Sequence, residues 1–326
     1  MKTNPFSFLL LLLLCGFCGC VHEYPEDGGI DPTKVNVVLK LSTADPFTAV
    51  TRAPDDEKVY IHYIVEVYKD AYKGNPLERK EVTVEKNADG TSQATVNLSL
   101  HAANYKVAVW ASAVPRADGT GGLFTTARLT AIRLNEPYIG NTRRKECYDA
   151  RMDIDLLGAE WNESLNLSQT LTTPMAGVEV VSTDLKKLAL AHLNAAKQPQ
   201  LADAWWKEYH IKWTYDMYFP TQYNALIGQP VKAATGMGFT SDISPLNDEE
   251  ASLGYDFMFV NGKTANQYFS LTLYGANDNK LNAYEGINAP LERGKLTVIR
   301  GDYLTKEHSS GTGIDPGFDG EINIDR

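Results

Sequence analysis

Val35, Val37, Leu39 and Leu41 alternate with Asn36, Val38, Lys40 and Ser42, a period of two that predicts a half-buried strand. The same rhythm returns along the chain. Ile61, Tyr63, Val65 and Val67 form one face opposite His62 and Glu66, and Val96, Leu98 and Leu100 alternate with Asn97 and Ser99. Tyr105, Val107, Val109 and Ala111 follow after a turn, and Met152, Ile154 and Leu156 predict a later strand of the same sheet system. A second series opens at Val178 and Val180 and runs through Ile211, Trp213, Tyr215, Met217 and Phe219 as one alternating stretch. It continues with Phe257 and Phe259, then Phe269, Leu271 and Leu273, and ends at Leu296 and Val298. Two sets of short strands separated by Gly, Asn, Asp and Pro turns predict an all-β chain of two consecutive antiparallel sandwiches.

One helix interrupts the second set. Leu185, Leu188, Ala189, His192 and Ala196 share a face at helical spacing, Ser182-Thr183-Asp184 offers an N-cap, and Pro199 lies just past the end. His192 on that stripe is read as a packed, hydrogen-bonded histidine rather than a ligand.

The N-terminus changes the picture. Lys2 precedes an apolar run from Phe6 to Leu14, followed by small residues, the order of a secretory signal. Polar residues resume at His22, so the run is too short for a spanning helix, which needs about 20 apolar residues. Cys15, Cys18 and Cys20 end this run. A zinc site is rejected because two of them fall inside the segment to be removed. Only Cys20 follows a small residue, Gly19, and Phe17-Cys18-Gly19-Cys20 resembles a bacterial lipobox, which implies a diacylglycerol-bearing N-terminal cysteine. Acyl chains contribute roughly 0.8 kcal/mol per buried methylene, so two or three of them give a firm anchor to the membrane. The expected organisation is a signal peptide (1–19), a flexible tether (20–32) rich in acidic residues, Pro and Gly, an N-terminal sandwich (33–172), a C-terminal sandwich (173–308) and a tail (309–326).

The chain has 326 residues and a formal charge of −10, and loss of Lys2 with the signal makes the mature chain one unit more negative. That sign argues against nucleic acid and against a polybasic membrane patch. With Cys20 acylated, Cys147 is the only other mature cysteine, so no internal disulfide is available. Stability must come from the core, for which 43% hydrophobic residues, including 17 Tyr, 11 Phe and 5 Trp, provide ample material.

Local signatures of catalysis are missing. The six histidines stand singly, no H-E-x-x-H, G-x-S-x-G or P-loop pattern occurs, and no cofactor is expected. Paired carboxylates assembled by the fold carry no short motif and stay open at this stage. The acidic tail from Gly313 to Asp325 does not match a calcium loop, which wants ligands at alternate positions; a turn and a short strand through Ile322 and Ile324 that joins a sheet edge fits better. PLERKEVTV at 76–84 echoes PLERGKLTV at 290–298, but at non-equivalent places in the two strand sets. Tyr138, Trp161, Trp205 and Trp206 are candidates for stacking on a glycan if they surface in one cleft, with core packing as the alternative.

The layout resembles the fimbrillin-like and minor-fimbrium anchor lipoproteins of Bacteroidetes, subunits of type V pili, and related Bacteroides surface lipoproteins. The resemblance rests on Cys20 with Val21-His22-Glu23-Tyr24-Pro25, and on Pro174-Met175-Ala176-Gly177-Val178-Glu179-Val180. It rests also on Phe219-Pro220-Thr221-Gln222-Tyr223-Asn224 and on the stretch from Leu291 to Thr305. It implies two transthyretin-like sandwiches, an outer-membrane, surface-exposed address, and pilus-type subunits as partners through β-strand pairing. It also implies that Arg52, in Thr51-Arg52-Ala53-Pro54, is a candidate proteolytic site whose cutting would free the first strand; the alternative is a plain loop arginine. A glycan-binding lipoprotein is the second functional reading.

Overall fold

The computed structural model describes residues 33–44, 47, 58–159, 164–305 and the backbone of 322–324. The first half runs β1 (Lys34–Ala44), β2 (Tyr60–Lys69), β3 (Glu78–Glu85), β4 (Thr91–His101) and β5 (Asn104–Val114). Two short strands, β6 (Phe124–Thr125) and β7 (Ile132–Leu134), precede β8 (Cys147–Asp155) and β9 (Ser164–Thr170). The second half opens with β10 (Met175–Ser182) and the helix α1 (Leu185–Ala196). It continues with β11 (His210–Tyr215), β12 (Phe219–Asn224), β13 (Gln229–Ala234), β14 (Gly238–Asp242) and β15 (Ser244–Pro245). It closes with β16 (Ala251–Phe259), β17 (Thr264–Tyr274), β18 (Lys280–Glu292), β19 (Leu296–Gly301) and β20 (Ile322–Ile324).

The protein is all-β, built from sandwiches, with one α-helix among the described residues. In the first half a sheet of order β4-β1-β9 packs on one of order β3-β2-β5-β8, and in the second a sheet β15-β16-β10-β19-β20 packs on β14-β11-β17-β18. The two halves share a plan. Each opening strand lies between an antiparallel neighbour, β4 or β16, and a parallel partner from the end of its own half, β9 or β19. A parallel pair cannot be closed by a hairpin and needs a long crossover, so each half is stitched from its first residues to its last.

Alternation places Val35, Val37, Leu39 and Leu41 of β1 against Ile61, Tyr63, Val65 and Val67 of β2 in the first core. The second core gathers Val178, Val180, Ile211, Trp213, Phe269, Leu271 and Leu273, with Leu185 and Leu188 of α1 covering one side. A third apolar cluster fills the seam between the halves. Here β2, β5, β10 and β16 use their other faces: Ile64, Tyr68 and Trp110 from the first half meet Met175, Val181, Tyr255, Phe257 and Phe259 from the second. These strands are therefore buried on both sides, which explains why their sequences read as near-continuous apolar runs.

A further sheet, β13-β12-β7-β6, closes the seam with strands from both halves, pairing Gln222 with Arg133 and Tyr223 with Ile132. This corrects the expectation of a single strand from Ile211 to Phe219. The chain leaves its sheet at Asp216, whose carboxylate accepts hydrogen bonds from Ser270 Oγ (2.7 Å) and the Gly286 N–H (3.3 Å). Met217 and Tyr218 are consequently exposed, and Phe219 starts β12 in the seam sheet. The alternation survives because Trp213 and Tyr215 before the break and Phe219 after it are buried in the same core.

The helix begins as expected, but Asp184 at the N-cap position makes no side-chain cap. Its buried carboxylate instead accepts from Ser182 Oγ (2.5 Å), the Leu304 N–H (3.2 Å), and both the N–H and hydroxyl of Thr305 (2.8 and 2.7 Å). At the chain's end β20 adds antiparallel to β19, pairing Thr297 with Ile324 and Ile299 with Ile322, as the alternation of the tail suggests.

Candidate functional site

Cys20 and Arg52 both lie outside the described residues, and β1 is the described strand between them. β1 pairs with β4 along its whole length, from Lys34 opposite His101 to Ala44 opposite Thr91. On its other side it runs parallel to β9, from Asn36 beside Ser164 to Ser42 beside Thr170. Its inward residues, Val35 through Leu41, are at most 2% exposed. The outward side chains knit a polar ladder, with Asn36 Nδ2 donating to Ser164 Oγ (3.2 Å) and the hydroxyls of Ser42 and Thr170 3.1 Å apart. At the strand's end the hydroxyls of Thr43, Ser92 and Tyr63 form a buried chain, with both links at 2.7 Å. β1 is thus a fully integrated central strand that falls by number between Cys20 and Arg52.

Beyond β1, β9 is an edge of its sheet among the described residues. Its side chains alternate between half-buried Leu165 and Leu167 and exposed Ser164, Asn166 and Ser168. An edge of this make-up offers main-chain groups to an added strand while its polar outer row keeps it soluble.

The seam holds the densest polar chemistry. Lys145, on a short 3-10 turn before β8, and Asp256, in the middle of β16, are 1% and 0% exposed at their side chains, with Lys145 Nζ 2.5 Å from Asp256 Oδ1. Tyr138 and Tyr215 both donate their hydroxyls to Asp256 Oδ2. Lys145 Nζ also donates to the Tyr138 hydroxyl at 2.7 Å, and the Phe257 N–H donates to Asp256 Oδ1 at 2.8 Å. Burial pushes the Lys145 amine below its ordinary range while Asp256 pulls the other way. Burial, followed by the Asp256 charge, pushes both tyrosine hydroxyls well up.

A second constellation ties the seam sheet down. Tyr223 donates to Asp149 Oδ2 at 2.7 Å, Arg151 Nη1 reaches the same oxygen at 2.5 Å, and Arg293 Nη2 donates to the Gly228 carbonyl at 3.0 Å. Buried Glu66 accepts from Arg79 (2.6 Å) and from the Tyr68 hydroxyl (2.5 Å). Cys147 is fully buried; burial, then the charges of Asp149 and Glu146, push its thiol well up, so it is held as an inert thiol. Among the described residues no group of three or more His, Cys, Asp or Glu side chains is placed to hold a metal ion.

The aromatic residues singled out as glycan candidates separate. Tyr138 is half-buried with its hydroxyl turned to Asp256, and its ring packs on Tyr215 and Phe219. Trp205 is buried and Trp206 half-buried near the helix, where His192 Nδ1 lies 2.9 Å from the Tyr209 hydroxyl and the His192 ring packs on Trp205. Trp161 lies outside the described residues. No helix among the described residues is long and apolar enough to cross a membrane.

The model of the family of unknown function DUF6562 matches residues 29–325. No curated protein matches the sequence. Among solved structures the chain is similar to the fimbrial anchor protein Mfa2 from Porphyromonas gingivalis, at TM-score 0.44 and 10% identity over 89% of this chain and 97% of that one. It is similar also to a fimbrial assembly protein from Parabacteroides distasonis, at TM-score 0.37 and 11% identity over 90% and 99% of the two chains. A candidate cell adhesion protein from Bacteroides eggerthii is similar at TM-score 0.46 and 12% identity, over 91% and 97%.

Proposed function

We propose that this chain, which belongs to the family of unknown function DUF6562, is a structural lipoprotein of the outer membrane. In this reading acyl chains on Cys20 hold it at the cell surface, and it engages pilus-type subunits by β-strand pairing. The observation that supports the reading is that β1, the first strand after Cys20 among the described residues, lies in the middle of its sheet. A pull on the N-terminus acts along the strand axis. The hydrogen bonds to β4 and β9 lie across that direction, so they share the load in shear, and the four buried side chains must leave the core together. That is the mechanical behaviour an anchor requires.

Partner capture belongs to the edges. The β9 edge has main-chain groups to give affinity and alternating side chains to set register. Arg52 falls by number between β1 and β2. Cutting there would leave β1 held without a covalent link to β2, which suits a polymerising subunit, whereas an intact Arg52 suits the anchor.

The test is affinity capture of intact surface complexes, with mass spectrometry of the mature N-terminus and a Cys20→Ser variant run beside it. The expected result is acylated Cys20, an uncut Thr51-Arg52-Ala53 stretch, co-captured β-sandwich subunits, and release of the Cys20→Ser chain from the envelope. A Cys20→Ser chain that sediments with the envelope as fully as wild type overturns the anchor. Capture without any such subunit overturns the pilus part.

A further inference from the structure

Lys145 and Asp256 stand 111 positions apart, one from each half of the chain, and no solvent reaches their side chains to any useful extent. Attraction between two buried charges returns little more than their desolvation costs. Proton transfer within the pair leaves a neutral amine facing a neutral acid, which removes both charges from the apolar surroundings set by Tyr138, Tyr215, Phe219 and Phe239. Burial favours the uncharged amine in the same direction. With Nζ at 2.5 Å from Oδ1, carboxyl geometry puts it about 3–3.5 Å from Cγ, the separation of a near-attack contact. Two hydroxyl donors converge on the oxygen that is not contacted by the amine.

We propose that Lys145 and Asp256 join in an intramolecular isopeptide bond that clamps the two halves across the seam. The acid's Oδ1 carries the proton received from the ammonium, and the lone pair on Nζ attacks Cγ once the carboxyl group turns its face. Negative charge develops on Oδ2, where the Tyr138 and Tyr215 hydroxyls stabilise it. Nζ then passes a proton to Oδ1, the Cγ–Oδ1 bond breaks, and Oδ1 leaves as water. One N–C bond forms and one C–O bond breaks, with no change in oxidation state and no further reagent. In the product the amide N–H faces the Tyr138 hydroxyl, the amide carbonyl keeps both tyrosine donors, and no buried charge remains. The inference does not rest on the pilus reading, since the pair and its tyrosines are a property of the seam alone.

The test is intact mass and peptide mapping of the purified full chain, unfolded and reduced. The expected result is a wild-type chain lighter by one water than its sequence and N-terminal processing require, with one branched peptide joining the segments that carry Lys145 and Asp256. Lys145→Met and Asp256→Ala should each restore the missing water. If those variants do not fold, the wild-type map still decides. Linear peptides recovered quantitatively for both residues, at full mass, overturn the proposal. So does a water loss that maps elsewhere, for example to a succinimide at Asp89-Gly90.

Discussion

Replacing Asp184 by alanine removes the acceptor that ties the start of α1 to Leu304 and Thr305. The carboxylate is 1% exposed and serves Ser182 Oγ, the N–H groups of Leu304 and Thr305, and the Thr305 hydroxyl, at 2.5 to 3.2 Å. After the change Ser182 keeps the Gly301 carbonyl at 3.3 Å, and half-buried Thr305 can turn to water. The Leu304 N–H, on a residue 3% exposed, loses its acceptor. One orphaned buried donor costs about 1–3 kcal/mol, and hydrogen bonds to a charged group contribute roughly 1.5–3 kcal/mol each. Relief of the carboxylate's own desolvation offsets part of this. The expected loss is about 3 kcal/mol, read as a lowered urea midpoint with an unchanged slope. Amide exchange at Leu304 and Thr305 should accelerate by more than that at Val178 or Trp213. A loss below about 1 kcal/mol, with protection at Leu304 and Thr305 retained, would refute the clasp.

Tyr223→Phe removes the hydroxyl that donates to Asp149 Oδ2, an oxygen that keeps only Arg151 in the immediate network. The expected cost is about 1–3 kcal/mol, with both halves still unfolding in one calorimetric transition; a split into two transitions refutes the coupling assigned to the seam. Burial pushes the Glu81 carboxyl up, but the hydrogen bond and charge of Arg79, together with His62, outweigh it and hold the group below the usual carboxylate range. A carboxyl lowered by folding stabilises the protein above its unfolded value, about 4.3, and that contribution fades as pH falls through the folded value. Glu81 is 44% exposed at its side chain, so screening keeps the contribution under about 1 kcal/mol. Glu81→Gln should therefore be slightly less stable at neutral pH and converge with wild type in acid; a gap that persists unchanged into acid refutes the pairing.

Period-two alternation located β1, β2, β4, β5 and the core-facing residues of β10, β11 and β17, because a sheet with one buried face writes that face into every second residue. It could not show which strands bury both faces. Glu66 reads as an outward polar residue of β2, yet it is 3% exposed because Arg79 and Tyr68 come with it into the seam. The same holds for Asp256. A single acid between Tyr255 and Phe257 in an otherwise apolar strand was a visible signal, but its partner Lys145 stands in Arg143-Arg144-Lys145, which reads as a solvated basic run. The pairing of β7 with β12 was beyond reach for another reason: each segment is short, and neither carries a pattern until the other covers it. β9 escaped because its inner face offers only Leu165 and Leu167, too few positions to establish a rhythm.

The shared sheet β13-β12-β7-β6 makes the chain resist being taken apart by cutting between its sandwiches. A gene split after Thr172 would leave one product displaying Trp110 and Phe124 and the other Tyr223, Phe257 and Phe259, each a sticky wall with no counterpart. Recombination that swaps one sandwich for a foreign one meets the same obstacle, so the two must be inherited, synthesised and folded as a single unit.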